Sequence, residues 1–255
     1  MLLDMGTKTL VAQQRHTEST FNRRSRYVEP ASIVETPLSE LLAHAGRSIT
    51  KQQESLFRKP EENDPVIFWS GNIDLLKLPS VSVIGARSVT DEGRARARRV
   101  AKGLALAGVV VTSGLAKGID TAAHSGVIEA GGKTIAVIGT PLNKAYPAEN
   151  SQLQETIYTD HLLISQFHPG QRTFQSDFPK RNRLMAAISD ASVIVEASDT
   201  SGTLHQAAEC IRLGRWLFIM RSVVENEKLT WPKRFLDNPR TIVLTSVNDI
   251  LNRIL

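Results

Sequence analysis

The chain has 255 residues, 22% charged and 41% hydrophobic, enough for one to two domains at ~150 residues each and outside the range of wholly disordered, collagen-like or disulfide-stapled chains. Its single cysteine, Cys210, excludes an intramolecular disulfide and a thiolate-rich metal centre, and no run approaches the ~20 apolar residues of a membrane span. The formal charge is +5, and all of the excess follows residue 78, where 21 Lys and Arg face 16 Asp and Glu; that asymmetry hints at a polyanionic partner.

Residues 1–35 are polar, carry Arg15, Arg23, Arg24 and Arg26, and read as a flexible basic tail. Residues 36–65 read as a short helical lead-in and linker. Leu38, Leu41, Leu42, Ile49 and Leu56 fall into two helical stretches broken at Gly46, and the loop-forming PEENDP follows at 60–65. From Val66 the pattern becomes short apolar runs: 66–69, 81–85, 109–113, 134–139, 162–165, 193–197, 217–220 and 241–245. Amphipathic stretches separate most of them, so 66–255 is expected to be a doubly wound α/β domain with a mostly parallel sheet. The start lacks a secretory leader pattern and the six histidines form no metal-binding spacing. The expectation is therefore a cytoplasmic protein with no membrane partner, no metal and no cofactor.

In such a sheet ligands bind beyond the carboxyl ends of the strands, where loops open helices. Three turns there suit anions, because small residues let a phosphate approach free N–H groups. They are Gly85-Ala86-Arg87, the loop Ser113-Gly114-Leu115-Ala116-Lys117-Gly118, and Ser201-Gly202-Thr203. Arg94, Arg96, Arg98, Arg99 and Lys102 form either a basic face or an ordinary solvated one. Asp120 and His124, at i,i+4, are expected to form a structural hydrogen bond. Phe178, Lys180, Arg181 and Arg183 in FPKRNR place cations beside a ring, as single strands require, although Phe178 could instead anchor a loop. GGKT at 131–134 precedes a strand and is no phosphate loop. No G-x-G-x-x-G follows the early strands, which argues against a dehydrogenase.

Together GAR, SGLAKGID-x3-H, TIAVIG before AYPAEN, FPKRNR, and VIVEA before SGTL resemble the DNA-processing protein A family, also called Smf, over about residues 64–220. The resemblance implies an extended Rossmann-like fold, single-stranded DNA binding, a homodimer, and loading of RecA recombinase. It also implies a site lined by Arg87, Ser113, Gly114, Lys117, Gly118, Phe178, Lys180, Arg181, Asn182, Arg183, Ser201, Gly202 and Thr203, with Arg87 and Arg181 as main phosphate contacts. Ser165-Gln166 stands where the family has Ser-Glu. RSVVENEKLTWPKRF follows Met220 in place of Pro-Gly and a glycine-rich turn, and no C-terminal winged helix is recognised. The chain therefore resembles a divergent member. The related phosphoribohydrolases carry a catalytic glutamate where Gln206 stands, and an amide cannot do its acid–base work. A nucleotide sensor, or an enzyme using Glu196 or Glu209, is the alternative.

Overall fold

The computed structural model describes residues 27–58 and 63–255. All eight apolar runs form strands, and a ninth strand precedes them. In chain order the elements are β1 (Val34–Pro37), α1 (Leu38–His44), α2 (Lys51–Glu54), β2 (Val66–Gly71), β3 (Ser80–Gly85), α3 (Asp91–Leu106), β4 (Val110–Ser113), α4 (Ile119–Glu129), β5 (Thr134–Ile138), α5 (Ser151–Asp160) and β6 (Leu162–Ser165). They continue with α6 (Asp177–Ala187), β7 (Ala191–Glu196), α7 (Thr203–Arg212), β8 (Trp216–Met220), α8 (Arg221–Val224), α9 (Lys233–Leu236), β9 (Thr241–Leu244) and α10 (Val247–Ile254).

Among the described residues the strands make one sheet in the order β1-β2-β6-β5-β4-β3-β7-β8-β9. Every pairing from β6 to β9 is parallel, while β2 runs antiparallel to β6 and β1 to β2. The parallel strands are apolar on both faces because helices cover both. Side-chain alternation sorts them. Ile135 and Val137 of β5 join α1, α6 and α7 in one core, whereas Ala136 and Ile138 face α5, and Val81, Val83 and Val111 pack on α3, α4 and α10. The chain builds outward from β3 to β6, then returns to place β7 beside β3. The Val81↔Ala191 register runs to Gly85 and Glu196, where it shifts and Ala86 N donates to Glu196 O at 2.7 Å. This reversal is the topological switch point that sites the ligand crevice. No helix among the described residues is long and apolar enough to cross a membrane.

The described part of the N-terminal segments packs on the sheet. Residues 1–26, with their arginines, lie outside the described residues. Tyr27 is docked: its hydroxyl donates to Leu142 O at 2.7 Å and accepts from Gln154 Nε2 at 2.8 Å. Strand β1 spans the expected 35/36 boundary, and α1 buries Leu38, Leu41 and Leu42 in the same core as Leu184 and Ile188. Buried Arg47 donates to Asp190 Oδ1 at 3.0 Å and Oδ2 at 2.6 Å and also caps Ala45 O and Leu78 O. A buried guanidinium with its donors satisfied ties the lead-in to the sheet, so it belongs to the domain.

Candidate functional site

A crevice of about 1100 Å³ opens at the carboxyl ends of β3 and β7. Gly85 closes β3 where a Cβ would meet the Ile119 side chain and Glu196 O, so only glycine lets the β3–α3 turn lie this close to α4. Arg87 leaves that turn exposed to solvent. Its guanidinium lies 5.0 Å from the Phe178 ring centroid, and it has no ion-pair partner among the described residues. The Phe178 ring in turn packs against Gly139, and Tyr146, 47% exposed, sits 5.8 Å away, centroid to centroid. Arginine over one ring with a second exposed ring alongside offers both phosphate pairing and base stacking.

The loop from Ser113 to Gly118 is held from beneath. Ser113 is fully buried and its hydroxyl donates to Val83 O at 2.7 Å. Gly114 leaves room for Arg181 and Asp120, into which any Cβ would project. Gly118 has φ +81° and touches the carbonyls of Ala86 and Arg87, which sets the Arg87 turn against the α4 start. Asn150 Nδ2 donates to Leu115 O and Thr121 Oγ1, both at 2.9 Å. Lys117 extends outward and meets Glu149 Oε2 at 2.5 Å in an exposed pair, which is worth little and is readily exchanged for another anion.

The basic stretch 178–183 is not a loop but the first turns of α6, and helical geometry divides it. Phe178, Arg181, Asn182 and Met185 line the crevice, at the i, i+3, i+4, i+7 spacing of one helix face. Lys180 and Arg183 fall elsewhere: Lys180 meets Asp177 at 3.4 Å, while Arg183 donates to Leu56 O and lies 3.4 Å from Glu209 Oε1. Arg183 therefore braces the lead-in against α7 and is not brought to the crevice. Arg181 differs from expectation as well. It is 5% exposed, its Nη1 donates to Gly114 O and Val137 O, and its Nε donates to Asn182 Oδ1 at 2.8 Å. Its Nη1 and Nε thus hold the loop and Asn182, while the residue still forms part of the crevice lining. Burial pushes the Asp120 carboxyl above its ordinary range, and the Arg181 guanidinium opposes that shift.

The expected Asp120–His124 hydrogen bond is replaced. His124 is fully buried and its Nδ1 shares a 2.7 Å hydrogen bond with Thr134 Oγ1, while Asp120 accepts from Ala116 N at 3.4 Å. Burial, with His161 and Arg181 adding to it, pulls the His124 pKa down to about 3. The third turn is open: Ser201 Oγ accepts from Thr203 N at 3.2 Å, Asn182 Nδ2 reaches Gly202 O at 3.5 Å, and nothing lies within 4 Å of where a Gly202 Cβ would stand. Of the basic α3 face, Arg94 and Arg96 pair with Asp91 and Glu92 on their own helix and Arg98 with Glu129 of α4, and only Arg96 reaches the crevice.

The candidate acids for enzymatic chemistry are engaged. Glu196 accepts from Thr90 N at 3.2 Å and Thr90 Oγ1 at 2.8 Å at the start of α3, and Glu209 sits between Arg183 and Arg212. Gln206 is 1% exposed and approaches Ser192 Oγ at 3.5 Å. Tyr146 and Asn150, within AYPAEN, carry no periodic signal in the sequence and lie well past the end of β5, so the spacing does not assign them to the site. Trp231 was also unassigned; it is fully buried, and its Nε1 donates to Ala197 O at 3.0 Å just beyond β7.

A mostly parallel α/β sheet with a crevice at its switch point, entered by an arginine beside aromatic rings, defines an extended Rossmann-like fold. The chain belongs to the DNA recombination-mediator protein A family, whose model matches residues 48–255. It is 43% identical over 153 residues to DNA processing protein DprA of Streptococcus pneumoniae, covering 60% of this chain and 54% of that one. It is 30% identical over 189 residues to protein Smf of Escherichia coli, covering 74% and 50%. The chain thus spans about half the length of these curated relatives. The solved S. pneumoniae protein superposes with a TM-score of 0.72 at 32% identity, over 88% of this chain and 75% of that one. DNA processing protein A of Helicobacter pylori, described by its single-stranded DNA binding mode, superposes with a TM-score of 0.67 at 25% identity, over 80% and 92%.

Proposed function

We propose that this chain binds single-stranded DNA in the crevice and acts without catalytic turnover as a recombination mediator, presenting the strand to a RecA-type recombinase. The observation that carries this reading is Arg87: an arginine without a carboxylate partner among the described residues, over the Phe178 ring at the switch point of a chain from this family. Arg87 pairs with a phosphate, Phe178 and Tyr146 receive unstacked bases, and the Ser201–Thr203 turn and Asn182 supply neutral donors. Lys117 exchanges Glu149 for a phosphate at the rim, and Lys180 acts farther out. Ser113, Gly114, Gly118 and Arg181 shape the loop from below. Contacts of this kind read backbone and ring faces, so binding is largely independent of sequence. The working form is a cytoplasmic homodimer.

Fluorescence-anisotropy titration of a labelled single strand and its duplex across a salt series tests this. The expected result is a salt-dependent preference for the single strand, with Arg87→Ala weakening it and making the slope of log affinity against log salt shallower by about 0.7. Equal, weak binding of both forms overturns the proposal, and an unchanged slope removes Arg87 from the interface.

A further inference from the structure

Beside the main crevice, at the carboxyl ends of β8 and β9, lies a second cavity of about 310 Å³. The two share Arg96 and Ser222 in their linings and so are neighbours. Three guanidinium groups line the second cavity, Arg96 and Arg99 from α3 and Arg221 from the start of α8. Arg99 is exposed and has no ion-pair partner among the described residues. Arg96 meets Glu92 at 2.8 Å and Arg221 meets Glu225 at 3.8 Å, both surface carboxylates that solvent and other anions displace easily. The remaining acid nearby, Asp249, is turned to the backbone: it accepts from Thr245 N and Ser246 N at 2.8 Å and from Thr245 Oγ1 at 2.7 Å. Ser222 is among the lining residues, and its Oγ is shielded from solvent and without a hydrogen-bond partner among the described residues. Three arginines at one cavity have the donor chemistry of an oxyanion site. Val100, Met220, Leu244 and Val247 supply apolar walls, where charge pairing is less screened than in water.

We propose that this cavity holds a phosphodiester of the same single strand as it leaves the main crevice, extending the interface across the ends of β7, β8 and β9; the proposal rests on the single-stranded-DNA reading above. Adjacent strands lie ~4.8 Å apart, so the cavity sits about 10 Å from the β7 end, within reach of a continuous polynucleotide and beyond that of one phosphate. Arg221 and Ser222 stand where the family resemblance leads one to expect Pro-Gly, so this extension belongs to the divergent segment of the chain.

Arg99→Gln, Arg221→Gln and the double variant test it, because both side chains are exposed and lie outside the main crevice. Anisotropy with oligothymidylates of increasing length should show the double variant matching wild type on the shortest strands. On long strands it should bind several-fold more weakly, with a salt slope shallower by about 1.4, the value for two contacts. Equal binding by variant and wild type at every length overturns the proposal and leaves the main-crevice reading intact. A uniform loss at all lengths also overturns it, since the effect then lies in the crevice. Calorimetric titration with inorganic pyrophosphate separates the sources of phosphate: binding to wild type that the double variant loses, without any length dependence on DNA, assigns the cavity to a free phosphate compound and overturns the strand path. If wild type binds no single strand at all, the functional reading fails and this inference falls with it.

Discussion

Arg87 and Arg181 carry the same charge within one crevice and do different work because of burial. Arg181 directs its Nη1 and Nε to Gly114 O, Val137 O and Asn182, whereas Arg87 rests on a ring face and is exposed, without an ion-pair partner among the described residues. Gly118 connects the two, since it positions the loop that Arg181 braces against the turn that carries Arg87. An alanine there would hold a positive φ and press its Cβ into the carbonyls of Ala86 and Arg87. Gly118→Ala is therefore expected to destabilise the fold by more than the ~1–2 kcal/mol of left-handed strain alone and to weaken single-strand binding. Gly131→Ala is the control, because Gly131 has φ +69° with nothing within 4 Å of its Cβ position. Thermal unfolding of both variants reads the difference, and equal losses would remove the collision from the account.

At the scale of elements, the eight strands were legible because a strand buried on both faces must be apolar along its length. Strand β1, VETP, was not legible: it is short, mostly exposed and pairs with β2. The basic stretch at 178–183 carries no helical signal in its charges, and the face that Phe178, Arg181, Asn182 and Met185 present to the crevice appears only in the fold. The segment after β8 shows how an unfamiliar stretch is fastened. Asp199 accepts from Thr230 N and Oγ1 and from Trp231 N, at 3.0, 2.7 and 2.8 Å, and Trp231 fills the core beside Phe235. Trp231→Ala is expected to cost about 3–5 kcal/mol, the usual range for deleting a buried large aromatic. Trp231→Phe should recover most of that while still lacking the bond to Ala197 O. Urea unfolding measures both, and a loss under ~1 kcal/mol for alanine would mean that the segment is not anchored there.

For the whole molecule, acid stability follows from its buried histidines. The native state keeps His124 neutral down to about pH 3, and His161 is shifted the same way by burial and by Lys133, while the unfolded chain protonates both near their ordinary value of 6.5. Below that value the unfolded state binds more protons, so stability is fully present above pH 6.5 and is lost as pH falls toward 3. His124 alone contributes a slope of up to ~1.4 kcal/mol per pH unit. Unfolding free energies measured between pH 7 and 4 should fall less steeply in His124→Gln than in wild type, and parallel curves would show that another group sets the acid limb. The same scale carries the functional contrast: a modest positive charge becomes useful only where the topology gathers Arg87 and its neighbours at one end of the sheet.

The sequence by itself determined the α/β class, the eight strands and the strand ends at which a site must lie, because these depend on local periodicity and on small residues where backbone must approach closely. It also carried the family, through motifs whose order along the chain is preserved. Only the tertiary structure decided which cations are free. Lys117, Arg181 and Arg183 are all candidate cations in a linear chain, yet each acquires its partner from a distant element: Glu149, Gly114 with Val137, and Glu209 with Leu56. A charge's availability depends on what the fold places beside it and on how much water it keeps, and neither quantity is written in the spacing of residues.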